Sequence, residues 1–367
     1  MVISYVRRAY SSFAAHVFDI PPRLMAFMFF LILLFLPLAG ISSSKMSVLI
    51  YANIFAIFAV SWDLLVGRTG QISLGHALLF GIGGYSSALL FKYYGLPTWI
   101  TIPAAMLFSI LVSLLIGFPC LRVKGPYLAL VTMAVPLIIQ LTFKWGPLYS
   151  IFGGDTGIRD LPRFFDLILI REQRISVYYL TLLLLFISSV IIYKIANSKT
   201  GIVFISILDD EVASKACGIN ITKYKLMSFV ISGLFASLAG CIHAHVLEGV
   251  DPSMFSLTIS FFAVIMTFLG GIGTIYGPIV GSYIYSVLDS FVLPELPKLL
   301  ERFNVDITSA FESAKLLIFT LIVLILVIKW PRGVARFTTD KLKDLEEARD
   351  LDERGPRIWK TYKKKKK

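Results

Sequence analysis

Charge is what this 367-residue sequence has least of: only 16% of its residues are Asp, Glu, Lys or Arg, against about 25% in an ordinary soluble domain. Cysteine is scarce too, and Cys120, Cys217 and Cys241 stand far apart with no CxxC pair. They set neither a disulfide framework nor a metal site. There is no GxxxxGKS/T phosphate loop, no HExxH, no GxSxG and no paired carboxylate at i, i+4 within an apolar run. The lysine that must reach a bound phosphate is therefore missing, as are the usual nucleophile and metal-hydrolase arrangements. These absences exclude a soluble enzyme, a secreted disulfide scaffold and a nucleic-acid-binding domain. No catalytic residues, metal ligands or cofactor are expected.

What the sequence has instead is apolar length. Hydrophobic residues make up 57% of it and the mean hydropathy is +0.79. Runs close to the length that crosses a bilayer as helix occur at 24–41, 46–66, 71–91, 98–119, 126–143, 176–194, 225–247, 257–275, 277–293 and 314–330. The expectation is an all-α polytopic membrane protein with about ten transmembrane helices. The first run follows Arg7, Arg8 and Arg23 like a signal peptide, but it has spanning length and no evident cleavage site, so it reads as a retained helix. Residues 1–23 then form an N-terminal segment, 24–330 one transmembrane domain and 331–367 a basic tail. The tail holds 13 Lys+Arg against 7 Asp+Glu and ends in five lysines. Positive-inside counting places both termini, Arg68, Arg122, Lys124 and the 195–224 loop on the cytoplasmic side, and the 144–175 loop outside.

Two spans are rich in glycine. The third carries Gly75, Gly81, Gly83 and Gly84, and the eighth carries Gly270, Gly271 and Gly273. Each is third in a set of five, so the chain reads as two inverted five-helix halves with Gly-broken third and eighth spans, a pattern that points to a transport path. The competing reading is that these glycines only let helices pack closely. Polar donors for such a path are Ser73, His76, Ser86 and Ser87 on the third span and Thr258, Ser260 and Thr267 on the eighth. His76 is read equally well as a ligand contact or as a structural hydrogen-bond donor. Asp63, near Arg68, reads as half of a local pair at the inner surface. With His243, His245 and Asp289 it forms no proton relay by spacing. In the 195–224 loop, Ile205, Leu208, Val212 and Ala216 fall at helical spacing among Asp209, Asp210, Glu211 and Lys215, which predicts a short amphipathic helix. Such a helix can seat its apolar face in a partner's groove or simply link two spans.

The block Gly67-Arg68-Thr69-Gly70-Gln71-Ile72-Ser73-Leu74-Gly75-His76-Ala77, running on to Gly81-Ile82-Gly83-Gly84-Tyr85, resembles the branched-chain amino acid ABC importer permeases of the LivM type. Arg122-Val123-Lys124-Gly125-Pro126-Tyr127 through Thr132, Gly153-Gly154-Asp155-Thr156-Gly157-Ile158, and Leu269-Gly270-Gly271-Ile272-Gly273 through Pro278 are similar to further blocks of that family. So are Ser198-Lys199-Thr200-Gly201, Asp209-Asp210-Glu211-Val212-Ala213 and Gly218-Ile219-Asn220. The sequence departs from the family at Ile202-Val203-Phe204, where an arginine usually follows the glycine, and at Asp209-Asp210, where Arg-Glu is commoner.

The resemblance implies one half of a heterodimeric channel in the inner (plasma) membrane. It also implies a second permease subunit, two cytoplasmic ATPase subunits and a periplasmic or extracellular solute-binding protein, with no nucleic-acid partner. The cargo implied is a branched-chain or similar small amino acid; the same architecture also suits urea, amides or small carboxylates. An ion-coupled secondary transporter acting alone is the reading from another class. The expected translocation residues are Ser73, Gly75, His76, Gly81, Gly83, Gly84, Tyr127, Thr132, Gly270, Gly271 and Gly273. Tyr127 and Thr132 either line the pore or pack against partner spans. Coupling to the ATPases falls to Asp209, Glu211, Ala213 and Gly218, and binding-protein docking to Gly153, Gly154, Asp155 and Gly157.

Overall fold

The computed structural model describes residues 21–39, 42–120, 123, 126–165, 169–292 and 333. The segment before residue 21, the tenth expected span, most of the basic tail, and Arg122, Lys124 and Gly125 lie outside the described residues. In chain order the helices are α1 (Pro21–Phe35), α2 (Ser43–Thr69), α3 (His76–Tyr94), α4 (Thr98–Cys120), α5 (Pro126–Lys144) and α6 (Ile170–Ala196). There follow α7 (Lys199–Asp209), α8 (Glu211–Ala216), α9 (Ile221–Val246), α10 (Leu257–Gly270) and α11 (Tyr276–Val287). Sheet among the described residues is confined to one antiparallel pair, β1 (Ile158–Arg159) with β2 (Gly249–Val250).

Among the described residues α2, α4, α5, α6 and α9 are long and apolar enough to cross a membrane. The architecture is that of a multi-pass helical membrane protein. α10 and α11, of 14 and 12 residues, are about 21 and 18 Å long, shorter than a hydrocarbon core of about 30 Å.

α2 and α9 form the centre. α2 packs on α6, α9, α10 and α11, and α9 packs on α2, α3 and α4. Burial follows that order: 78% and 67% of the most apolar stretches of α2 and α9 are inside, against 33% and 22% for α4 and α5. In lipid the tails are as apolar as leucine, so helices associate through close packing and hydrogen bonds rather than through exclusion of water. Ala52, Ala56 and Ala59 of α2, and Ala236, Ala239, Gly240 and Ala244 of α9, supply the small surfaces. At Gly240 the approach is closest, since a Cβ there would lie 1.9 Å from the Phe80 carbonyl oxygen. Hydrogen bonds across the bundle add direction. Asn53 of α2 donates to Thr181 of α6 at 3.0 Å and accepts from the hydroxyl of Tyr283 in α11.

The two ends of the bundle are built differently. At one end the starts of α2, α4 and α6 meet the ends of α3 and α9. Arg174 donates to the Ser43 carbonyl (2.6 Å), and Ser87 joins Thr101 and His245 (both 2.8 Å). At the opposite end the close of α2 meets the start of α9, with α7 and α8 beside them.

Candidate functional site

Between Thr69 and His76 the chain leaves the helix, and every exposed backbone group in a membrane interior needs a protein partner. Side chains from three helices partner backbone groups here, and a fourth helix holds the Gln71 side chain. Trp62 Nε1 donates to the Ser73 carbonyl (2.8 Å), Thr132 of α5 accepts from Leu74 N (3.2 Å), and Ser260 of α10 accepts from Ala77 N (3.0 Å). Gln71 Nε2 donates to Thr69 (2.8 Å) and to Ser228 of α9 (3.0 Å). Ser73, Gly75, His76 and Thr132 are thereby brought together, with the Thr132 carbonyl packed directly against Gly75. His76 is buried, with Nε2 2.8 Å from Ser61 Oγ and its ring against Phe58. Ser61 gives its own proton to the Phe58 carbonyl, so it is placed to accept from His76. That leaves His76 Nδ1 without a partner.

The remaining glycines of the third span lie inside α3, which runs unbroken from His76 to Tyr94. Gly81 faces Phe255, Gly83 faces Ser237 and Gly84 faces Met254, so all three serve close packing. The interruption in this expected span is confined to the residues before His76. Tyr127 stands apart, 69% exposed at the start of α5.

A second non-helical stretch joins α10 to α11. Gly271 (φ +118) and Gly273 (φ +76) adopt backbone angles that side chains resist, and Ile275 does so as well at +56. A β-branched residue at positive φ is held only by strong surroundings. Asp63 supplies them: its carboxylate accepts from Gly273 N (2.6 Å) and Ile275 N (3.2 Å). Arg68, the expected local partner, lies close enough for its charge to act on Asp63, but the hydrogen bonds of the buried carboxylate go to two backbone N–H groups 210 and 212 positions away. Gly270 packs against the Gly277 carbonyl, closing the turn. Trp62, Asp63, Gln71 and Ser228 were not among the expected site residues; Gln71 falls within the GRTGQISLGH block, the one signal that could have marked it.

The 195–224 loop folds as two helices rather than one. Asp210 is extended, ends α7 and caps α8 through Oδ1, which accepts from Val212 N (2.8 Å) and Ala213 N (2.9 Å). Ser206 and Ser214 join α7 to α8 (2.7 Å), and Glu211 pairs with Lys225 of α9 (2.7 Å). Phe204 and Ile207 point inward, while Ile202 (66%), Leu208 (42%) and Val212 (79%) stay exposed beside Asp209 and Ala213. Gly218 closes the segment at φ +82.

At the opposite end Gly153, Gly154 and Gly157 all take positive φ. The requirement is strictest at Gly157, where a Cβ would lie 1.8 Å from the Val250 carbonyl oxygen. The turn is strapped to the bundle by the β1–β2 pair, by Lys92 on the Ser150 carbonyl (2.9 Å), by His245 with the Pro162 carbonyl (2.9 Å), and by Arg163 with Glu248 (2.6 Å). Asp155 projects outward and pairs with Lys144 (2.8 Å).

The family model described as branched-chain amino acid transport system / permease component matches residues 45–328. The chain is 29% identical over 326 residues to the high-affinity branched-chain amino acid transport system permease protein LivM of Salmonella typhimurium, covering 83% of this chain and 72% of that protein. It is 28% identical over the same length to LivM of Escherichia coli, with the same coverage. To a probable branched-chain amino acid transport permease protein LivH of Methanocaldococcus jannaschii it is 24% identical, covering 81% of this chain and 93% of that one. No solved structure matches.

Proposed function

The chain belongs to the family of branched-chain amino acid transport system permease components, LivM type, and from that premise we propose that it is one of two permease subunits of an ATP-driven importer. Its cargo is a branched-chain or similar small amino acid. Two cytoplasmic ATPase subunits supply the energy, and a solute-binding protein delivers the cargo from outside. Residues 24–330 form the permease domain, as two inverted five-helix halves in the inner membrane, with residues 1–23 and the 331–367 tail cytoplasmic.

The observation that carries this reading is the contrast between the two ends of the bundle. One end exposes the apolar side chains of Ile202, Leu208 and Val212 on short helices braced to α9, surfaces suited to contact with a partner. The other presents a rigid glycine turn at 153–157, which docks the binding protein. Nucleotide-driven closure of the ATPases pushes α8. The Glu211–Lys225 bridge passes that push to α9, and Ser228 and Gln71 pass it to the 70–75 stretch. There Ser73, Gly75, His76 and Thr132 bound the path, with Gly270, Gly271 and Gly273 across α2 from them.

The ion-coupled alternative finds less support. Asp63, His76 and His245 are each engaged in separate hydrogen-bond settings rather than in a relay.

Purification of the tagged chain from its native membrane in mild detergent, with mass spectrometry of everything retained, tests the assembly. A second permease and ATPase subunits are expected. The chain alone, from membranes in which it moves substrate, overturns the reading. Uptake by the reconstituted complex, challenged with leucine, urea, an amide and a small carboxylate, then identifies the cargo.

A further inference from the structure

At the end of the bundle opposite α7 and α8, the starts of α2 and α6, the close of α9 and the 163–164 segment enclose a cavity of about 390 Å³. That volume lies within the range of small-molecule sites, about 300–1,000 Å³. The cavity reaches the surface, because Arg163 and Glu248 in its wall are 47% and 43% exposed. No residue of the 69–76 stretch lines it.

Its wall carries both signs of charge. Arg174 of α6 spends one Nη1 hydrogen on the Ser43 carbonyl (2.6 Å), and a guanidinium has four more to give. Tyr51, near enough to feel the Arg174 charge, and Gln173 add a hydroxyl and an amide. These groups suit a carboxylate. Glu248 and the end of α9 at Val246 suit a cation. Glu248 accepts two hydrogen bonds from Arg163, of 2.6 and 3.1 Å, but a carboxylate offers about four lone-pair sites. The last carbonyls of a helix lack partners within it and carry partial negative charge. Glu248 is also held at φ +57, backbone strain of the kind that gathers at ligand clamps. Ile50, Phe164 and Val177 complete the wall with apolar surface. Free cationic donors, an anionic acceptor and an apolar wall together match a zwitterion with a hydrocarbon side chain.

We propose that this cavity binds one free amino acid with a small apolar side chain. Its carboxylate lies on Arg174, its ammonium toward Glu248 and the end of α9, and its side chain against Ile50 and Val177. The site is distinct from the path bounded by Ser73, Gly75, His76 and Thr132. The Arg163–Glu248 pair both lines the cavity and straps the 153–157 turn, so the amino acid is held beside the surface assigned to the binding protein. The choice of leucine as probe rests on the reading of the chain as an amino-acid permease.

The test titrates the complete complex, purified in mild detergent without a solute-binding protein, with tritiated leucine in a scintillation proximity assay. Saturable binding is expected. Isocaproate, which lacks the ammonium, and isopentylamine, which lacks the carboxylate, should each compete about tenfold more weakly than leucine, the worth of one hydrogen bond to a charged group. Arg174→Gln should weaken leucine by about tenfold, with Arg174→Lys intermediate. Glu248→Gln should weaken leucine and leave isocaproate as it was. Gln173→Trp fills the cavity from a half-buried position and should abolish binding at an unchanged melting temperature, which keeps the test decisive if the Arg174 variants do not fold. No saturable binding, or binding that Gln173→Trp and Arg174→Gln leave unchanged, overturns the proposal; uptake of leucine by the same complex then keeps the importer reading. Competition by isocaproate or by phosphatidylglycerol as strong as by leucine also overturns it, since a lone carboxylate or a lipid phosphate then satisfies Arg174. Leucine bound in this cavity by a complex that takes up no amino acid would refute the importer reading and keep the site.

Discussion

At Gly240 and at Asp63 single atoms decide how this bundle closes. A methyl group on Gly240 would press on the Phe80 carbonyl at 1.9 Å, and backbone cannot yield as a flexible side chain does. Gly240→Ala is expected to cost about 1–3 kcal/mol, read as a lower melting temperature in detergent. Gly146→Ala, which would meet nothing within 4 Å, should stay within about 0.5 kcal/mol of wild type. Asp63 is the other decisive residue. Removing its carboxylate strands the Gly273 and Ile275 N–H groups, and hydrogen bonds to a charged partner are worth about 1.5–3 kcal/mol each. Asp63→Ala should therefore melt lower than Asp63→Asn, which keeps one acceptor, and Asn lower than wild type; any other order would dissolve the role given to the carboxylate. The identity of Asp63 was legible in the sequence, but its partner was not. Proximity in sequence points to Arg68, whereas the hydrogen bonds of the carboxylate go to the N–H groups of a turn 210 residues away.

At the scale of elements, periodicity in the 195–224 loop pointed to a single amphipathic helix and missed its break. Ile205, Leu208, Val212 and Ala216 do share a helical spacing, but Asp210 competes for the backbone and starts a new helix, as a capping Asp does. The exposed apolar side chains that result predict a separable phenotype. Val212→Asp puts a charge on the 79% exposed apolar tip without touching the Glu211–Lys225 bridge. It should weaken retention of the ATPase subunits at least tenfold, while the chain still folds and keeps its second permease. Glu211→Arg should keep the ATPases better than Val212→Asp does but lose uptake, because the bridge to α9 becomes a repulsion. If quantitative pull-down and uptake fall in parallel for both variants, docking and transmission are not separate functions of this element. The glycine-rich spans show the same limit of sequence reading. Glycine marks both a turn and a tight helix contact, so composition alone did not separate Gly271 and Gly273 in the α10–α11 turn from Gly81, Gly83 and Gly84 inside α3.

At the scale of the whole molecule, the membrane class was legible because lipid forces long apolar runs on any helix that crosses it. The straps that order the loop ends, β1 with β2 and His245 with the Pro162 carbonyl, left no comparable pattern, since each joins a few polar atoms distant in sequence. Sidedness is the property on which the functional reading depends most, and the native cysteines suit its measurement. Cys120 and Cys241 are buried, and Cys217 is exposed on the segment between α8 and α9. A membrane-impermeant maleimide should thus react at Cys217 alone. With the α7–α8 end in the cytoplasm, sealed right-side-out cells should leave the chain unlabelled, whereas inverted vesicles should label it nearly to completion. Cys217→Ser should abolish that signal, which assigns it to the one thiol. Labelling of intact cells would place α8 outside, beyond the reach of any cytoplasmic ATPase. The exposed apolar side chains would then need a different partner, and the path from Glu211 through Lys225 and Gln71 would transmit something other than nucleotide-driven closure.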